Sequence, residues 1–185
     1  QRALANNSVA YTEMPDVGIF MREWQALYES KSGERGIFNR ISAKRTAEAT
    51  GRRDPNWDFG TNPCGEIILR PNGLCNLSEV IVRSDDSINS LKDKVRIATI
   101  IGTFQSTLTN FRYLRPVWKR NAEEERLLGV SFTGIMDNEL LYHNSNLEKQ
   151  LGEMKDYAIE TNKGLAAGLG IAQSVSITTV KPSGT

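Results

Sequence analysis

Asn62, Cys64 and Glu66 stand two residues apart in the string Asn62-Pro63-Cys64-Gly65-Glu66. On an extended backbone side chains alternate, so the three share one face and set an amide, a thiol and a carboxylate side by side. Pro63 and Gly65 are turn-prone, which equally suits the tip of a loop. A thiol flanked by an acid and an orienting amide can carry out sulfur chemistry with acid–base assistance. From spacing alone, a surface loop that happens to hold a cysteine fits as well. Cys75 follows eleven residues later, across Arg70-Pro71-Asn72-Gly73. If the segments on either side of that turn pair, Cys75 comes near Cys64, although a small buried hydrophobe is the commoner fate of such a residue. A third group, Lys181-Pro182-Ser183-Gly184-Thr185, follows a strand-like run. Its hydroxyls and backbone N–H groups suit a phosphate, the more so if a helix follows, but any strand-to-turn junction looks similar.

Composition narrows the classes. With 39% hydrophobic and 24% charged residues, the 185-residue chain matches an ordinary globular domain or a piece of a larger one, not a disordered segment. Lys and Arg number 23 against 22 Asp and Glu, a net charge of +1. That balance exerts no global pull on nucleic acid or anionic membrane, so neither is an expected partner. No run reaches the roughly 20 apolar residues of a membrane span, and Gln1-Arg2-Ala3-Leu4 opens no apolar signal core, which predicts a cytoplasmic protein. Two cysteines and a single histidine, His143, are too few for a structural zinc site or a disulfide scaffold, and they leave little room for a Cys–His or Ser–His–Asp mechanism. No metal site is expected. The start lacks Met and the end stops on turn-forming residues, so the sequence reads as a piece cut at both ends.

The elements that must position these groups follow from periodicity. Val17, Phe20, Met21, Trp24, Leu27 and Tyr28 predict a helix over 17–30, ended by Gly33. Ile37-Phe38 suits a strand, 43–50 a helix with Ser42 as N-cap and Gly51 as terminator, and 52–61 a loop. A strand-turn-strand pattern covers Ile67 to Val82. A long helix is predicted over 87–112 on the line Leu91, Val95, Ala98, Ile101, Phe104, Leu108 and Phe111. A buried strand covers 127–132, a second long helix 146–167, and a last strand 174–180. Strands separated by long helices predict an α/β fold with parallel strands and right-handed crossovers; so few strands could form part of a barrel but not close one. Gly168-Leu169-Gly170-Ile171-Ala172-Gln173 is set aside as a dinucleotide fingerprint because it follows a helix and ends in Gln. Glu123-Glu124-Glu125 beside Lys119, Arg120 and Arg126 reads as a solvated, mutually paired surface, and His143 as a loop or helix-end residue.

Taken together, these residues resemble the ribonucleotide reductases, and within them the class II, adenosylcobalamin-dependent, monomeric ribonucleoside-triphosphate reductases. Asn62 to Ile67 resembles that family's catalytic finger loop, and the step to Leu74-Cys75-Asn76-Leu77 is similar to the spacing of the monomeric branch. Asn7 to Tyr11, Tyr28 to Arg40, Asn121 to Gly134 and Lys181 to Thr185 match in the same order. The resemblance implies a ten-stranded α/β barrel with the finger loop at its centre, residues 1–185 being the central part. It implies that Cys64 becomes a transient thiyl radical that removes the ribose 3′ hydrogen. Glu66 would take the 3′-hydroxyl proton as the 2′-hydroxyl leaves as water, which calls for an enclosed carboxyl, and Asn62 would hydrogen-bond the sugar. Cys75 would be one of two reducing thiols that end as a disulfide. Pro182, Ser183, Gly184 and Thr185 would begin the loop that holds the substrate phosphates. It further implies adenosylcobalamin bound mostly by regions outside this chain, a deoxynucleotide effector, thioredoxin or a similar dithiol reductant, and a monomeric parent. The rival readings are a class I or dimeric class II diphosphate reductase, a non-catalytic nucleotide-binding piece, and a thiol–disulfide oxidoreductase using Cys64 and Cys75.

Overall fold

The computed structural model describes residues 8–31 and 36–183. The chain divides into two compact units, Gln1–Pro71 and Asn72–Thr185. It is a mixed α/β structure with small sheets.

In the first unit β1 (Ser8–Tyr11) and β2 (Gly36–Asn39) pair in parallel, from Ser8 opposite Gly36 to Tyr11 opposite Asn39. A Cβ at Gly36 would lie 2.8 Å from Ser8 Oγ, so a larger residue there would make the Ser8 hydroxyl turn aside. Between them runs α1 (Val17–Ser30), whose first turn is capped by Asp16 accepting from the N–H groups of Gly18 and Ile19. The helix ends at Lys31 in the left-handed region, φ 47°, and not at Gly33, which lies outside the described residues. Its apolar stripe is not a core: no α1 residue is buried, and Phe20 instead meets the rings of Tyr11 and Trp24. α2 (Arg40–Thr50) starts earlier than expected because Asn39, not Ser42, is its cap; Asn39 Oδ1 accepts from Ser42 N–H at 3.0 Å. Gly51 ends it at φ 64°, as its position suggests. The predicted loop 52–61 closes in a short strand, β3 (Gly60–Thr61), which pairs antiparallel with β4 (Ile68–Leu69). Phe59, fully buried with Ala43 and Ala47 and packed by Phe38 and Ile68, forms the small core beneath.

The second unit carries β5 (Asn76–Ile81), α3 (Ile88–Gln105), α4 (Pro116–Glu125), β6 (Leu128–Thr133) and α5 (Leu147–Leu169). β5 and β6 are parallel, Asn76 opposite Leu128 through Ile81 opposite Thr133. The 174–180 segment runs along the other edge of β6: Leu128 and Val130 donate to the carbonyls of Ser176 and Ile177, and Thr179 N–H donates to the Val130 carbonyl. The two crossovers are thus parallel, as expected for α/β, while the β3–β4 pair is not. The premise that the segments flanking Arg70–Gly73 pair with each other is corrected: β4 pairs with β3, and β5 with β6.

The core of this unit is made of Val80, Val82, Leu91, Val95, Leu128, Val130, Met154, Ala158 and Ile177. α3 stops seven residues short of its predicted end at 112. Ser106 and Thr107 turn their hydroxyls onto the carbonyls of Thr103 and Phe104 at 2.7 Å, so the side chains compete with the helix at its end. Pro116 then opens α4, which the sequence reading missed. Glu125 and Arg126 are buried rather than solvated; Arg126 Nη1 donates to the Ser106 carbonyl at 2.6 Å, and the Glu125 carbonyl accepts from Val175 N–H. Lys119 and Glu123 keep the expected surface pairing, at 3.8 Å. His143 lies in a loop, as read. A buried polar knot joins three elements: Asn162 on α5 donates to Thr103 Oγ1 on α3 and to Ser174 Oγ, and accepts from Ser174 N–H, all within 3.0 Å.

Asp86 anchors the loop into α3. Its carboxylate accepts from Arg83 N–H and Ser90 Oγ, each at 2.8 Å, and from Lys94 Nζ. Burial pushes this carboxyl up, but the hydrogen bonds outweigh it and hold the group below its ordinary value of 3.8. A carboxyl lowered by folding adds stability that is present above the unfolded value and is lost as pH falls from there through the lower folded value. Asp86→Asn should therefore cost stability above 3.8 and approach wild type as pH falls from there through the lower folded value. Urea midpoints of both proteins on either side of that pH check this; a gap that persists undiminished in acid would contradict it.

Candidate active site

The Asn62–Glu66 string sits on the connection of the β3–β4 hairpin. Two rungs are too few to hold a hairpin by themselves. The neighbouring arginines supply the rest: Arg53 Nη1 donates to the Ile68 carbonyl and Arg40 Nε to the Phe59 carbonyl, each at 2.7 Å. The Arg53 guanidinium also lies 4.6 Å from the centre of the Phe59 ring, and Arg70 lies 4.8 Å from that of Trp57.

Asn62 closes the tip. Its N–H donates to the Ile67 carbonyl at 3.2 Å, its Oδ1 accepts from Ile67 N–H at 3.0 Å, and its carbonyl accepts from Gly65 N–H at 3.0 Å. Ile67 N–H is a donor, so the atom facing it must be the amide oxygen; Asn62 Nδ2 is left without a protein partner among the described residues. The tip is therefore a turn and not the extended strand that alternation assumed. Gly65 adopts φ 84°, a conformation that favours glycine. The turn, not a period of two, keeps the amide, thiol and carboxylate on one short connection.

Cys64 is exposed at this tip and Glu66 is half-buried, with its Oε2 shut off from solvent. The described residues leave the Cys64 thiol open to solvent and enclose one oxygen of the Glu66 carboxyl, as a base calls for. Cys64 and Cys75 are not joined in a disulfide. Cys75 belongs to the second unit, half-buried immediately before β5, where Asn76 N–H and Nδ2 both donate to the Leu127 carbonyl. At the far end of the same unit, Ser183 N–H donates to the Lys181 carbonyl and Pro182 is exposed. Gly184 and Thr185 lie outside the described residues. By the parallel register, Cys75 and Lys181 stand at opposite ends of the sheet, about 20 Å apart along the strands at the usual rise. The structure does not bring those two groups together. Among the described residues, no group of three or more His, Cys, Asp or Glu side chains could hold a metal ion, and no helix is long and apolar enough to cross a membrane.

The geometry makes one change directly testable. A Cβ at Gly65 would meet no atom within 4 Å, so Gly65→Ala is opposed by the backbone alone. The left-handed conformation should cost about 1 kcal/mol and speed hydrogen exchange at the Ile67 amide about fivefold. An Ile67 amide as protected as in wild type would contradict the closed tip.

No family model matches the chain. The adenosylcobalamin-dependent ribonucleoside-triphosphate reductase of Lactobacillus acidophilus is 30% identical to it, over 83% of this chain and 24% of that protein. The protein of the same name from Lacticaseibacillus paracasei is also 30% identical, over 100% of this chain and 28% of that protein. The one from Lactobacillus leichmannii is 24% identical over the same shares. The chain thus spans about a quarter of the length of the curated relatives it matches. Among solved structures, a crystal structure of a B12-dependent (class II) ribonucleotide reductase shares the fold, with a TM-score of 0.55 and 22% identity over 68% of this chain and 21% of that one. Along its whole length the chain is thus similar to part of the adenosylcobalamin-dependent, class II ribonucleotide reductases.

Proposed function

We propose that the protein carrying this chain reduces ribonucleotides, most readily ribonucleoside triphosphates, to 2′-deoxyribonucleotides by a radical mechanism centred on Cys64. One observation carries the reading: Asn62, Cys64 and Glu66 occupy the tip of a hairpin locked at its base, in a chain that matches named ribonucleoside-triphosphate reductases from end to end.

The residues divide the work. Cys64 Sγ, as a thiyl, takes the 3′ hydrogen atom of the ribose and becomes a thiol. Glu66 accepts the 3′-hydroxyl proton while the 2′-hydroxyl leaves as water, and its shielded oxygen suits a base that must not be levelled by solvent. Asn62 uses Oδ1 to hold its own loop and turns Nδ2, a donor, to the sugar. Cys75 and a second thiol outside this chain supply two electrons and two protons, forming one disulfide. The balance is ribonucleotide plus dithiol giving deoxyribonucleotide, disulfide and water. Ser183 and the residues after it take the substrate phosphates.

Adenosylcobalamin, when bound, would supply the hydrogen-atom abstraction that first oxidises a thiol. What the described residues offer it is a reacting thiol rather than a cradle: Cys64 stands exposed on a narrow tip that a bulky cofactor can approach. The parallel crossovers of the second unit support a larger α/β barrel with the hairpin as its finger loop. A thioredoxin-like reductant, a deoxynucleotide effector, a monomeric state and a cytoplasmic site complete the proposal.

In the full-length protein, Cys64→Ser should lower nucleotide reduction at least about a thousandfold while nucleotide still binds; measurable product in a single turnover would contradict the thiyl role. Cys75→Ser should pass the early radical steps yet stop multiple turnover with a dithiol reductant. Ordinary steady-state reduction by that variant would remove Cys75 from the mechanism.

A further inference from the structure

We infer that Ser131 is a positioning residue that ends the pairing of the 174–180 segment with β6 and aims Ser183 at the substrate phosphates. The inference rests on the reading of the residues from Ser183 onward as a phosphate-binding loop.

The argument begins with a residue that does not suit its place. Ser131 interrupts the apolar run Leu127 to Phe132 and is 4% exposed. A buried hydroxyl is costly unless it is hydrogen-bonded, and alanine would fill a strand position of this size without that cost. The hydroxyl is used. It accepts from Lys181 N–H at 3.0 Å, fifty residues away, and lies 3.4 Å from the carbonyl of Phe132.

The register shows what this bond does. Along the 174–180 segment, Val130 N–H donates to the Ile177 carbonyl and Thr179 N–H to the Val130 carbonyl. A regular parallel ladder would next offer the Phe132 carbonyl to Lys181 N–H. Lys181 instead donates to the Ser131 side chain, which sits one residue short of that carbonyl. A side-chain acceptor thus stands where the backbone acceptor would be, and the chain leaves the sheet at this point: Ser183 N–H folds back onto the Lys181 carbonyl at 2.9 Å. The Phe132 carbonyl faces Ser183 Oγ at 3.5 Å, too long to hold that hydroxyl firmly. The serine is thereby placed and can exchange a weak contact for a phosphate oxygen. The start of the same segment is fixed independently, by Asn162 on Ser174. Ser131 therefore governs the exit only.

The test uses the full-length protein with Ser131→Ala and the matched pair Ser131→Thr and Ser131→Val, which have nearly equal volume and differ in the hydroxyl. The probe is inorganic triphosphate, measured as a competitive inhibitor against the ribonucleotide substrate. Ser131→Ala and Ser131→Val should raise the inhibition constant and the substrate KM about tenfold, with kcat within about threefold, the loss expected for one hydrogen bond that orients a binding group. Ser131→Thr should restore both toward wild type. Constants unchanged in the valine variant, or a threonine variant as impaired as valine, would overturn the inference. Either result, with a wild-type protein that reduces nucleotides, leaves the reductase reading standing. A wild-type protein with no such activity overturns that reading instead.

Discussion

A two-rung hairpin cannot carry a thiol in a fixed place unless something else locks its tip, and in this chain that lock is the side chain of Asn62. Its reciprocal pair with Ile67, one bond through the backbone N–H and one through Oδ1, turns a six-residue connection into a closed ring. Three neighbours hold its base. Arg53 and Arg40 bind the strand carbonyls, and Phe59 is buried beneath them. Because Asn62 spends its oxygen on the loop, only its N–H₂ end remains for a ligand. One side chain thereby sets the shape of the tip and, on the proposed function, would orient a substrate hydroxyl as well.

The second unit solves a different problem with different means. Its parallel strands bury Val80, Leu128, Val130 and Ile177 under α3 and α5, and such sheets are covered by the helices that connect them. The proposed functional residues of this unit lie at the ends of the strands. Cys75 enters at one end, tied down by the double contact of Asn76 with the Leu127 carbonyl. Lys181 leaves at the other, where Ser131 takes its N–H. Polar side chains inside this unit mark where backbone direction is set: Asn162 at Ser174, Arg126 at Ser106, Asn138 at Arg83 and Asp86.

Much of this could be read from residue order, and the exceptions share a cause. The helices at 17–30 and 146–167 and the strand at 127–132 follow from apolar spacing and emerge within a few residues of their expected bounds. Spacing alone left Asn62, Cys64 and Glu66 equally open to a plain surface loop; it was the resemblance of the whole string that singled them out. What periodicity could not show is where a side chain overrules the backbone. Asn39 took the cap from Ser42, and Ser106 and Thr107 ended α3 early. Glu125 and Arg126, charged and so read as surface, were drawn inside because the carbonyl of one and the guanidinium of the other complete long-range bonds. Ser131 was passed over for the same reason: its partner is fifty residues away. Its one local signal was a hydroxyl in the middle of an apolar strand.

The claim on which the account depends is that Cys64, held at the closed tip, removes the 3′ hydrogen of a ribose. The most direct measurement is the rate of reduction by the full-length protein of a ribonucleotide carrying deuterium at the 3′ carbon, compared with the unlabelled substrate under single-turnover conditions. A primary isotope effect on that turnover is the predicted result. Reduction at equal rates for both substrates, together with product formation by a protein lacking the Cys64 sulfur, would contradict the account.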